Sequence, residues 1–60
     1  MKKTVYIVIE AEIYVGRGIE VGEFNTEFAA EWYKAELEES NTDPLKVYSV
    51  SKVTRKVRKG

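Results

Sequence analysis

Residues 4 to 15 fall into two alternating rows. Val5, Ile7, Ile9, Ala11, Ile13 and Val15 make one; Thr4, Tyr6, Val8, Glu10, Glu12 and Tyr14 make the other. Period-2 alternation rich in β-branched residues is the pattern of a half-buried strand. It predicts that the odd row faces the core and the even row faces outward. Gly16-Arg17-Gly18 reads as a turn, because glycine tolerates positive φ. Ile19 to Phe24 reads as a second, shorter strand with Ile19 and Val21 inward, and Gly22 marks a bulge or the strand's end. Adjacency makes the two strands a hairpin.

Asn25-Thr26-Glu27 opens a helix that runs to about Glu39. Asn or Thr supplies an N-cap oxygen, and Glu27 sits at the positive end of the helix dipole. Phe24, just before the cap, is placed to staple onto the first turn. Pro44 closes the segment that follows. Ala29, Ala30, Tyr33 and Leu37 form one stripe of this helix. Phe28 and Trp32, at i and i+4, are displaced from it toward the edge of the core. Leu45 to Val57 reads as a third strand. Tyr48 and Val50 share one parity, whereas Val47, Val53 and Val57 share the other, which predicts a bulge or bend near Ser51-Lys52.

The order strand, strand, helix, strand predicts an α+β domain: a three-stranded sheet with one helix packed on one face. The long first strand is expected in the centre, with the third strand parallel to it after a right-handed crossover. Residues 1–60 make a single small domain, with 58–60 a frayed basic tail.

Sixty residues without a cysteine must be stabilised by packing, perforce without disulfides. With neither His nor Cys, a zinc site of ordinary composition has no ligands. Val5 to Ile9 is the longest apolar run, too short to cross a membrane. Glu10 and Glu12 interrupt what would otherwise start a secretory signal, so the expected location is cytoplasmic. No nucleophile has an evident base, Glu10 and Glu12 lie on the expected solvent row, and no cofactor is called for. Gly16-Arg17-Gly18 with Gly22 joins two strands rather than a strand and a helix, which is the wrong context for a phosphate loop. The expectation is a binding protein, not an enzyme.

Charge changes the picture most. The net charge is zero, yet all ten acidic residues lie between Glu10 and Asp43, a segment with only Arg17 and Lys34 as cations and a net charge of −8. Residues 44 to 60 carry Lys46, Lys52, Arg55, Lys56, Arg58 and Lys59, for +6. Such a field selects and orients partners. The candidate contacts are Lys52, Arg55, Lys56 and Arg58 for an acidic surface, with Phe28 and Trp32 as apolar anchors. The same lysines and arginines also protect an edge strand from aggregation. Tyr6, Val8 and Tyr14 on the outer sheet face would mate with a second copy. They would equally stack bases, although Glu10 and Glu12 between them repel phosphates.

The run Val5-Tyr6-Ile7-Val8, the glycine turn, Gly22-Glu23-Phe24-Asn25-Thr26-Glu27, Ala29-Ala30-Glu31 and a tyrosine-containing last strand together resemble small uncharacterised proteins of phages and prophages. In these, a G-x-F-x-T-x-x-x-A turn opens the single helix. The resemblance covers about residues 4 to 57 and implies the fold and a phage origin, without catalytic residues. The layout is also similar, at the level of element order, to the small T7 phage inhibitor of host RNA polymerase, whose last strand carries functional arginines; Arg55 and Arg58 are the nearest counterparts. The expected function is a phage-like protein-binding module that docks on a host or partner protein through its basic last strand. The alternative is a small homodimeric nucleic-acid-binding protein.

Overall fold

The structure, a computed structural model, describes residues 2–56. Strand β1 spans Lys2–Glu12, β2 Gly18–Phe24 and β3 Lys46–Lys56; helix α1 spans Glu27–Ser40. They form a three-stranded sheet of order β2-β1-β3 with one helix, an α+β fold with the longest strand in the centre. Both pairings are antiparallel. The parallel pairing of the third strand with the first is therefore corrected. Strand β2 runs away from the hairpin end, α1 carries the chain back, and β3 starts again at that end, with Lys46 opposite Glu12. The two parallel strands of the helical crossover are β2 and β3, and β1 lies between them.

The face covered by the helix is the reverse of the one expected. Val8 pairs with Gly22 on one side and Val50 on the other, and directly paired residues project to the same face. A Cβ built on Gly22 would lie 2.9 Å from the rings of both Phe24 and Tyr33. Tyr33 belongs to α1, so the even row (Tyr6, Val8, Glu10) faces the helix and the odd row forms the open face. Phe24 and Tyr33 also touch directly, with ring centroids 5.2 Å apart. Phe24 thus packs one turn further along the helix than a staple would.

The alternation misleads because both faces of β1 are apolar at mid-strand. Val8 is fully buried under the helix, and Val5 and Ile7 are buried on the other side. The same fact removes the bulge expected near Ser51-Lys52. The β1–β3 register runs unbroken from Lys2↔Lys56 to Glu12↔Lys46. Val50 joins Val8 beneath the helix, while Ser51 and Val53 join Ile7 and Val5 on the open face. The bulge lies instead in β2, where Val8 faces Gly22 and Ile9 faces Glu20, leaving Val21 unpaired. The Tyr33 hydroxyl donates to the Val21 carbonyl at 3.4 Å.

The helix starts at Thr26, whose Oγ1 accepts from the Ala29 N–H at 3.2 Å. Such a cap contributes about 1 kcal/mol. The stripe Ala29, Ala30, Tyr33 and Leu37 faces the sheet, with Ala30 fully buried where backbones approach most closely. The helix leaves the end of β2 and must deliver the chain to the start of β3, so it crosses the sheet obliquely and packs most extensively on β3. That path leaves Ile19, at the start of β2, 60% exposed rather than inward. The helix ends in a tied loop: the Asn41 amide donates to the Asp43 carbonyl, Asn41 Oδ1 accepts from Asp43 N–H, and Asp43 Oδ1 accepts from Leu45 N–H. At the other connection, Gly16 alone takes the left-handed conformation, at φ 71°. Ile13 and Val15 lie in this hairpin end, beyond β1, and both are exposed.

Candidate functional site

The basic residues expected to act together are divided between the two faces. Lys52 pairs with Tyr6 and Lys56 with Lys2, so both project to the helix side, and both are exposed. Arg55 pairs with Lys3 and projects to the open face. Its Nη2 lies 3.2 Å from Glu23 Oε1 and 3.9 Å from Glu20 Oε2. Arg55 stands level with Lys3 and Glu23 level with Ile7, so the bridge crosses β1 at the level of Val5. This accounts for a valine only 1% exposed on a face that no helix covers. Arg55 is therefore a cover for Val5 as well as a cation. Arg58 lies outside the described residues, as do Val57 and the tail at 58–60.

Two rungs at this end set like charges directly opposite one another: Lys2 against Lys56 and Lys3 against Arg55. Such pairs destabilise a ladder by some tenths of a kcal/mol each. The result is a positive end made by both outer segments of the described chain. The carboxylates of Glu10, Glu12, Glu38, Glu39 and Asp43 belong to the hairpin end and the later half of the helix. The polarity of the sequence is carried only in part into a polarity along the strands, because Glu23 and Glu27 stand toward the basic end and Lys46 and Arg17 at the hairpin end.

Phe28 is 81% exposed and Trp32 62%. At about 100° per residue they lie roughly 160–200° around the helix axis from buried Ala30, with Ala35 beside them at about 140°. The expectation that they sit at the edge of the core is corrected: they form a ridge on the far side of the helix from the sheet. Glu31, Glu36 and Glu39 flank the ridge, and the one lysine of the helix, Lys34, is 3.7 Å from Glu31. The aromatic anchors thus stand among carboxylates, not among the basic residues of β3.

The dimer face drawn from Tyr6, Val8 and Tyr14 does not exist as one surface. Tyr6 and Val8 lie under the helix, and Tyr14, 85% exposed, is at the hairpin end. The open face is the odd row with its neighbours: Val5, Ile7, Ile9 and Ala11 on β1, and Val47, Ser49, Ser51 and Val53 on β3. Ile13 N–H donates to the Leu45 carbonyl at 2.9 Å, which carries the ladder one rung further. A shallow cleft of about 220 Å³ at the hairpin end is lined by Glu10, Ala11, Glu12, Val15, Arg17 and Ile19.

Glu10, expected on the solvent row, is half-buried on the helix side. Its Oε2 accepts from the Tyr48 hydroxyl at 3.0 Å and its Oε1 lies 3.5 Å from Lys46 Nζ. Removal from water, and then the Glu10 carboxylate, raise the Tyr48 pKa above its ordinary 10.0. A raised folded-state value means that the neutral phenol favours the fold. This contribution is complete below pH 10 and is lost as pH rises through the raised value. Urea midpoints should therefore fall more steeply in the alkaline range for the native chain than for Tyr48→Phe. Lysine deprotonation is common to both, so parallel curves would contradict the assignment.

The open face and the Arg55 bridge were the features least accessible from the sequence. Only the strand register reveals that Arg55, Glu23 and Glu20 share a face, and the β2 bulge that sets this register has Gly22 as its single sequence signal. Comparison of the chain with protein-family models, curated proteins and solved structures gave no match.

Proposed function

We propose that this chain is a non-enzymatic protein-binding module of the phage-like kind, which docks on a larger host or partner protein and covers a site on it. The observation that carries the reading is the outward ridge of Phe28 and Trp32. Two large aromatics on the solvent side of a helix contribute nothing to a small core, and side chains of this type dominate binding energy at interfaces. The paired like charges at the basic end of the sheet support it. Stability is given up there for a concentrated positive field, which suits a second contact with an acidic surface.

The test is capture from nuclease-treated bacterial lysate with three baits: the native chain, a basic-end variant and a ridge variant. Lys3→Glu, Lys52→Glu and Lys56→Glu are the informative basic-end substitutions. Arg55→Glu would gather three carboxylates over Val5 and confuse binding with stability. A stoichiometric protein held by the native chain should be lost from both variants, and its capture should weaken with salt. Equal retention by all three baits would refute the proposal. Loss of every partner on nuclease treatment would favour the nucleic-acid alternative.

A further inference from the structure

We propose that helix α1 pairs with a single amphipathic helix of the partner, one with lysines and arginines along both flanks of its apolar stripe. This rests on the docking function above and names the chemistry that the ridge of Phe28 and Trp32 meets.

The first argument is the spacing of the ridge. Helix α1 is apolar on two opposite sides. Ala30, Tyr33 and Leu37 are taken by the sheet, whereas Phe28, Trp32 and Ala35 are exposed. These three follow one another at intervals of four and then three residues. That is the seam of a heptad repeat, with Phe28 at d, Trp32 at a and Ala35 at the next d. Ala30 and Leu37 then fall at f, opposite the seam. A seam of this kind receives another helix at a shallow crossing angle of about 20°, its large side chains entering holes between the partner's.

The second argument is the charge beside the seam. The flanking positions are Ala29 and Glu36 at e, and Glu31 and Glu38 at g. The next a position is Glu39, which ends the apolar part. Lys34 falls at c, half-buried on the sheet side and 3.7 Å from Glu31. Charges at e and g select which helix can pair. A second copy of α1 is rejected in either direction: parallel pairing sets Glu31 against Glu36, and antiparallel pairing sets Glu31 against Glu38. Any helix with acidic flanks is rejected likewise. Lysine or arginine at the same positions turns each repulsion into an attraction.

The third argument is extent. The exposed parts of the two rings offer on the order of 300 Å², less than one side of a standard interface. The helix contact alone is therefore weak, on the order of tens of micromolar. The basic end of the sheet supplies the rest of the footprint on a larger partner.

Trp32 is the single tryptophan of the chain, so its fluorescence reports on the seam. The probes are two synthetic peptides of about three heptads with leucine at a and d. One carries lysine at every e and g, the other glutamate. Titrated into the 60-residue chain, the lysine peptide should shift Trp32 emission to shorter wavelength and saturate. The glutamate peptide should bind at least about 30-fold more weakly. A lysine peptide with serine in place of its leucines should cause no shift. Phe28→Ser should weaken the lysine peptide at least about 10-fold. Glu31→Lys, Glu36→Lys and Glu38→Lys together, all at exposed positions, should keep the circular dichroism of the native chain and reverse the preference between the peptides. Absence of binding by the lysine peptide would overturn the proposal. So would equal binding of the two peptides, an unchanged preference in the charge-swapped chain, or indifference to Phe28→Ser. Ridge-dependent capture of a lysate protein by a chain that ignores the lysine peptide would sink this inference and leave the docking function standing.

Discussion

Val8→Ala should lower the free energy of unfolding by about 2 kcal/mol, a large share of what holds so small a domain together. Val8 is fully buried at the centre of the sheet, between Gly22 and Val50 and beneath the helix. Nothing nearby can collapse into the space, because Tyr33 is fixed on the glycine beside it and donates to the Val21 carbonyl. Ile13→Ala removes more atoms, from a residue 56% exposed at the hairpin end. It should cost no more than about 0.5 kcal/mol. Urea unfolding of the three chains at low concentration makes the comparison. Equal losses at the two positions would mean that the even row is not the helix-covered face.

Phe28→Ser with Trp32→Ser should reverse that pattern, with stability nearly unchanged and partner binding lost. The two rings project from the helix opposite Ala30, so serine there opens no cavity. The change in unfolding free energy should stay within about 0.5 kcal/mol apart from small helix-propensity terms. At an interface, each large aromatic anchor is worth about 2 kcal/mol or more, so the double variant should bind at least about 100-fold more weakly. Titration calorimetry with the captured partner, alongside urea unfolding, separates the two effects. A variant that unfolds readily yet still binds would return these rings to a structural role.

The order of elements, the central first strand and the inward stripe of the helix were legible because each rests on a local pattern. Alternation in residues 4–15, Thr26 at the cap, and Ala29, Ala30, Tyr33 and Leu37 at helical spacing all report through near neighbours. What failed was non-local. Alternation says that β1 has two faces but not which one the helix takes, and Val8 among the even residues was the single hint. The choice is made by Gly22, where the absence of a side chain admits Tyr33. The direction of β3 was misread for a related reason: the helix returns to the start of β2, and β1 already occupies the place beside it. For the candidate site, the aromatic pair and the charge asymmetry were plain in the sequence. That the aromatics stand among glutamates while Arg55 lies across Val5 depended on register, which residue spacing does not encode.

The ladder between β1 and β3 also governs how this chain reaches its fold. Its rungs join residues 34 apart at Glu12–Lys46 and 54 apart at Lys2–Lys56, almost the whole described length. The β1–β2 hairpin and the helix close locally, whereas this ladder requires the longest loops to close, which places it late and makes folding slow for so short a chain. Until β3 arrives, β1 is an edge strand with two apolar faces, open to any other strand. Lys2 and Lys3, which weaken the finished ladder by facing Lys56 and Arg55, guard that edge while it is bare. The charges that oppose the last step of folding thus protect the chain during the interval before it.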